Sequence, residues 1–115
     1  MKTIEVGLIR GRHEMPVKNY IFDKVEDMFD YDGIRRHIDR FIEDNVGVEY
    51  HEDGIIYSHK GKSALTVYIT GLTAVSCELV DVCNKLGVHL TLMHYDRDTG
   101  EYRPQVLGTG EAVWY

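Results

Sequence analysis

Two short runs in this chain hold residue types that could do chemistry on a phosphate. One is Thr70, Gly71, Leu72 and Thr73, set directly before AVSCELVDVCNKLG, a stretch with helical character. N–H groups in the first turn of a helix lack intrahelical acceptors, and the helix dipole adds partial positive charge there, so such a turn suits an anion. The other run is His94, Tyr95, Asp96 and Arg97, which ends the apolar segment VHLTLMHY. An imidazole titrates near neutral pH and can move a proton. A guanidinium offers a fork of donors to a phosphate, and a carboxylate can orient the imidazole or hold a divalent cation.

One route to phosphodiester cleavage then needs no cofactor. A ribose 2′-hydroxyl is held in line with phosphorus, His94 moves its proton, and Arg97 or helix N–H groups stabilise the added charge. A second route would place Mn²⁺ or Mg²⁺ on His94, Asp96 and Asp98. A plainer expectation stands beside both: Gly71 bends and Thr73 caps an ordinary strand-to-helix turn, and DRDTG is a hydrophilic hairpin turn, which is the preferred reading for Asp98 and Thr99. The turn at 70–73 lacks the G-x-G-x-x-G of dinucleotide folds and the G-K-[ST] of nucleoside triphosphatases, so hydride transfer and ATP hydrolysis are not supported.

The two runs can cooperate only if the chain brings them together. SALTVYIT reads as a strand, AVSCELVDVCNKLG as a helix ended by Gly87, VHLTLMHY as a second strand, and EYRPQVL as a third. A crossover helix between two apolar strands makes them parallel, and ligands in open α/β sheets sit outside the carboxyl ends of such strands. Both runs lie at those ends. Pro104 marks the last strand as an edge.

Earlier in the chain, TIEVGLI alternates as a first strand, with Ile4, Val6 and Leu8 on one face. The loop after it gathers Arg10, Gly11, Arg12 and His13, a cationic cluster that becomes a second candidate contact for an anionic ligand. Met15 to Phe22 offers another strand, weakened at its start by Pro16. Ile34, Ile38, Phe41 and Ile42 form a helical stripe over 32–45, capped by Asp30 or Asp32 and closed by Gly47; His37 borders the stripe, and Arg35, Arg36, Asp39, Arg40 and Glu43 make a solvated face. VEYHEDGIIYS suggests a hairpin turning on Asp53 and Gly54, with Tyr50 opposite Tyr57. His59, Lys60 and Lys62 form a second basic loop, and the apolar end of GTGEAVWY is expected to dock on the body or on a second subunit.

The fold class is therefore α/β, with α+β as the alternative: a single domain with a mixed sheet, a parallel βαβ core, a β-hairpin and two main helices. Residues 1–62 form a strand, helix and hairpin half, 63–107 the ligand-binding core, and 108–115 the tail. Length agrees with this, since 115 residues suffice for one core and are too few for a catalytic domain plus a regulatory one. No run approaches the roughly 18 apolar residues of a membrane span, and the charged amino terminus is unlike a signal peptide, so the expected compartment is the cytoplasm. A net charge of −6 argues against long nucleic acid, whose binding rests on many Lys and Arg contacts. It leaves open a ligand with few phosphates. Cys77 and Cys83 lie on different faces of one helix and are taken as buried apolar residues, with no disulfide between them.

The segment from Leu65 to Val106, with its strand, T-G-L-T turn, helix and L-M-H-Y-D-R-D-T-G hairpin, resembles the core of the small CRISPR-associated ring nucleases and, more distantly, of CRISPR-associated Rossmann-fold (CARF) sensor domains. The resemblance implies a protein that binds cyclic oligoadenylate at the carboxyl ends of parallel strands, commonly across a homodimer, with cleavage in some members. Thr70, Gly71 and Thr73 would match the phosphate-contacting turn, and His94 with Asp96 the polar end of the following strand. The expected function is binding of a cyclic oligonucleotide or related nucleotide signal in antiviral defence, with cleavage or sequestration of that signal by a homodimer or higher homo-oligomer. The alternative is a protein–protein interaction module with no small ligand, such as a phage counter-defence protein.

Overall fold

The structure, a computed structural model, describes residues 2–11, 14–46, 49–50, 56–57 and 63–107. In chain order these form β1 (Lys2–Ile9), β2 (Tyr20–Phe22), α1 (Tyr31–Asn45), β3 (Glu49–Tyr50), β4 (Ile56–Tyr57), β5 (Ser63–Tyr68), α2 (Thr73–Leu86), β6 (His89–Asp96) and β7 (Glu101–Leu107). Five strands make the main sheet in the order β2-β1-β5-β6-β7, and β3 with β4 makes a separate two-stranded ribbon. The first three pairings of the main sheet are parallel, and only β6–β7 is antiparallel. This is the mixed sheet with a parallel βαβ core read from the sequence. Among the described residues no helix is long and apolar enough to cross a membrane.

Both crossovers, from β2 through α1 to β5 and from β5 through α2 to β6, step along the sheet in one direction. Right-handed crossovers of that kind place both helices on the same face. The side-by-side packing of α1 and α2 agrees, with Arg35 Nε donating to Glu78 Oε2 at 3.0 Å across the seam. Arg35 thus leaves the solvated face expected for it and joins the helices. Beneath them lies one core containing Val6, Leu8, Ile34, Ile38, Ile42, Leu65, Val67, Val75, Leu79, Leu90 and Leu92. His37 borders this core as expected: its Nε2 lies 2.6 Å from the Ile21 carbonyl oxygen, and its ring stacks on Phe22 at 4.2 Å.

The helix ends follow local chemistry. Asp30 caps α1 by accepting from the Gly33 N–H at 3.1 Å. Gly87 closes α2 in the left-handed region, with φ of 69° and its N–H donating to the Cys83 carbonyl, as a C-terminal glycine does. Gly47, the expected closing residue of α1, lies outside the described residues, and so do Asp53, Gly54, the 58–62 loop and the 108–115 tail.

Three expectations need correction. The strand placed over Met15–Phe22 is confined to Tyr20–Phe22, where it lies parallel to β1 at the sheet edge. In the ribbon, Glu49 pairs with Tyr57 and Tyr50 with Ile56, one residue away from the Tyr50–Tyr57 register. A pairing centred on residue 53 requires an odd number of connecting residues, which a two-residue Asp53-Gly54 turn cannot provide. Finally, only Cys83 is buried; Cys77 is exposed. Cys77 lines a groove beside α2. Burial pushes the Cys83 thiol up to about 12. One fast thiol, Cys77, is therefore expected in titration of the native protein with a disulfide reagent, rising to two after unfolding. Two fast thiols in the native state would contradict this packing.

Candidate functional site

The carboxyl ends of β5 and β6 are adjacent, so the turn after β5 and the end of β6 meet. Ile69 continues past β5 and donates its N–H to the Met93 carbonyl at 3.1 Å, which ties the turn to β6. Leu72 N–H then donates to the Thr70 carbonyl at 2.6 Å, folding the chain tightly into α2. The N-cap position is Leu72, whose side chain cannot accept a hydrogen bond, and Thr73 is already helical. Thr73 therefore does not cap the helix, contrary to the expectation. The N–H groups of Thr73, Ala74 and Val75 open α2 without an intrahelical acceptor.

Two cavities share this corner. The smaller, about 220 Å³, is lined by Ile69, Thr70, Gly71, His94, Tyr95 and Arg97. The larger, about 800 Å³, runs from Thr70, Gly71, Thr73 and His94 down a groove between α2 and β6–β7, past Val80, Leu90 and Leu92 to Leu107. Ile69, Thr70, Gly71 and His94 belong to both. The two runs singled out in the sequence thus empty onto one rim.

Thr70 is the buried polar residue of this corner, 9% exposed, and its Oγ1 has no hydrogen-bond partner. A buried hydroxyl without a partner costs on the order of 1–3 kcal/mol. Gly71 has no positive φ, and a Cβ built there meets no atom within 4 Å. Neither backbone conformation nor crowding by the described residues requires glycine at this position. Its effect is to keep the shared mouth of the cavities open.

His94 Nε2 lies 2.7 Å from Gln105 Oε1. An Nε2–H donating to that amide oxygen leaves Nδ1 with the ring's lone pair, the tautomer a proton acceptor at Nδ1 requires. Gln105 was not foreseen as the partner. Its place follows from the β6–β7 register, which pairs it with Leu92, two residues before His94 on the same face.

Asp96 does not take the expected part. Its Oδ2 accepts from Arg103 Nε at 2.6 Å and its Oδ1 from the Asp98 N–H at 2.9 Å. The carboxylate closes the β6–β7 turn, assisted by Thr99 Oγ1 accepting from the Glu101 N–H and by Gly100 at φ of 73°. Asp96 therefore orients Arg103 and the turn, and the reading of Asp98 and Thr99 as turn residues holds. Among the described residues no three His, Cys, Asp or Glu side chains are gathered to hold a metal ion, so His94, Asp96 and Asp98 do not form a three-ligand site.

The Arg103 hydrogen bond, then the Asp98 N–H, hold the Asp96 carboxyl below the usual carboxylate range. A depressed folded value gives stability that is present above the unfolded pKa, near 3.9, and is lost as pH falls through the folded value. Asp96→Asn is thus expected to be less stable than wild type at neutral pH, with the gap closing in acid below about pH 3.9. Urea unfolding across that range checks it, and a gap independent of pH would refute the pairing.

The other candidates divide. Tyr95 and Arg97 line the smaller cavity and Thr73 the larger. Leu72 instead packs against the core. Arg10 lies at the end of the neighbouring β1, where its Nε donates to Asp23 at 2.9 Å and its guanidinium stands 4.7 Å from the centre of the Tyr20 ring. It lines neither cavity. Arg12 and His13 lie outside the described residues. Comparison of the chain with protein-family models, curated proteins and solved structures finds no match.

Proposed function

We propose that this rim holds the phosphate of a nucleotide and that the protein binds a cyclic oligonucleotide or a related nucleotide signal. The observation that carries this reading is the unpartnered, buried Thr70 hydroxyl at the corner where the uncapped start of α2, His94 and Arg97 converge. Unpaired helix N–H groups and a guanidinium suit an anion of concentrated charge, and the adjoining groove has the size of a small-ligand pocket. The likeness of residues 65–106 to ring nucleases and CARF domains supports the cyclic class, antiviral defence as the setting, and a homodimer or higher homo-oligomer as the assembly.

The same geometry supports cleavage. His94 Nδ1 takes the proton of a ribose 2′-hydroxyl, the 2′-oxygen forms a bond to phosphorus, and the phosphorus–O5′ bond breaks. The departing O5′ takes a proton from solvent, leaving a 2′,3′-cyclic phosphate and a 5′-hydroxyl. Arg97 and the first N–H groups of α2 stabilise the charge that builds on the non-bridging oxygens.

Thermal denaturation with a panel of cyclic and linear nucleotides tests the reading. A true ligand at about 100 times its Kd adds about 2.7 kcal/mol to stability, a readily seen shift in Tm. No shift with any member would reject it. Recovery of the ligand after incubation separates a nuclease from a sequestering protein. A protein-binding module remains the second reading, favoured by Val106, 72% exposed on the outer strand of the sheet.

A further inference from the structure

The two faces of the sheet differ. Among the described residues both helices lie on one face, and the other carries a strip of aromatic and apolar side chains. Register places Tyr68, Met93 and Pro104 in one row across β5, β6 and β7, with Tyr95 and Tyr102 in the next. The tyrosines contact one another: Tyr102 meets Tyr68 edge-on with centroids 4.9 Å apart and Tyr95 at 5.3 Å. The row continues through Gly7, which pairs with both Tyr68 and Tyr20, and the Tyr20 ring covers the space a side chain at Gly7 would fill.

This strip joins the rim. Side chains alternate along β6, so His94 points to the helix face while Tyr95 points to the strip, yet both line the smaller cavity. Arg97 borders the strip at the rim, and Arg10 stands over Tyr20 at its other end. Arg10 is paired with Asp23, so in a chain of net charge −6 it is Arg97 that favours an anionic occupant at the rim over another acidic surface. The anion site therefore stands between two ligand-sized surfaces, the groove on the helix face and the tyrosines on the other. A mononucleotide, with one base, can cover only one of them. A phosphodiester carries a nucleoside on each side of its phosphorus.

We infer that the ligand is an oligonucleotide straddling the sheet edge, with an internal phosphodiester on the rim, one nucleoside in the α2–β6 groove and the next base against the Tyr95–Tyr102 pair, face to one ring and edge to the other. This rests on the nucleotide reading above and specifies it. Base-on-aromatic stacking tolerates all bases and contributes roughly five- to 150-fold in affinity per base.

The test is calorimetric titration of the full chain with 5′-phosphorylated ribodinucleotides of each of the four bases and with the matching mononucleotides. At least one dinucleotide is expected to bind tenfold or more tightly than its mononucleotide. In Tyr102→Leu that ratio should fall toward one, and in Tyr95→Phe, which keeps the ring, it should persist. Should Tyr102→Leu prove poorly folded, Tyr95→Leu supplies the same comparison. A wild-type ratio near one, or a ratio that Tyr102→Leu and Tyr95→Leu leave intact, overturns the inference while mononucleotide binding upholds the rim. Absence of binding by every nucleotide, cyclic panel included, removes the nucleotide reading and the inference with it.

Discussion

Gly71→Val is expected to bind the nucleotide ligand at least tenfold more weakly than wild type while its thermal unfolding stays within a few degrees. Both halves follow from the geometry of one position. A side chain at 71 needs no left-handed backbone and meets no atom within 4 Å, so the fold should tolerate it to within about 0.5 kcal/mol. The same open space is the mouth of both cavities. Overfilling an occupied site typically costs about 1–3 kcal/mol, and about 1.4 kcal/mol already corresponds to tenfold. Arg97→Ala should weaken binding less, because an exposed guanidinium is screened, and that loss should shrink at high salt. Calorimetric titration beside a melting curve reads both quantities. Wild-type affinity in Gly71→Val would place the ligand elsewhere.

The second large effect concerns the layer that holds the rim in place. Ile38 is fully buried at the middle of the α1 stripe, between Ile34 and Ile42. Truncation to alanine leaves a cavity in a close-packed interior, and buried Ile→Ala changes cost about 2–5 kcal/mol. Against a total stability of about 5–15 kcal/mol, Ile38→Ala should lower Tm by on the order of 10 °C or more. The exposed Arg36→Ala on the same helix should change stability by no more than about 0.5 kcal/mol. Urea unfolding followed by circular dichroism measures both. A loss under about 1 kcal/mol in Ile38→Ala would mean that α1 does not seal the sheet as described.

What was legible in the sequence had a strong local cause. The period changes from two in SALTVYIT to helical in AVSCELVDVCNKLG, and Gly87 supplies a conformation few other residues accept, so β5, α2 and β6 emerge with their boundaries nearly intact. Pro104 lacks an N–H and correctly marks β7 as an edge. Because the two chemical runs sit at the ends of neighbouring parallel strands, their meeting follows from topology.

The misses come from terms that pattern does not carry. Three residues of β2 show no useful alternation, and β2 pairs in parallel with β1 without an intervening helix. Strands of two residues specify their register weakly, so the β3–β4 pairing moved by one. Sequence proximity offers Asp96 to His94 or to a divalent cation. The antiparallel return of β7 brings Arg103 and Gln105 into reach, and each claims one of that pair. Thr70 was foreseen as a rim residue, but that its hydroxyl is buried without a partner is a property of packing.

The parallel pairing of β1 with β5, in which Lys2 aligns with Ser63, bears on how the molecule assembles in time. On a ribosome, the apolar VGLI of β1 emerges long before the strand that will flank it, with only the short β2 available meanwhile. The β5–α2–β6–β7 half draws its pairings from near neighbours in sequence and can organise quickly once released, offering a template onto which β1 docks. During that interval the nascent chain displays a sticky strand without its partner, the condition under which a chaperone is of most use.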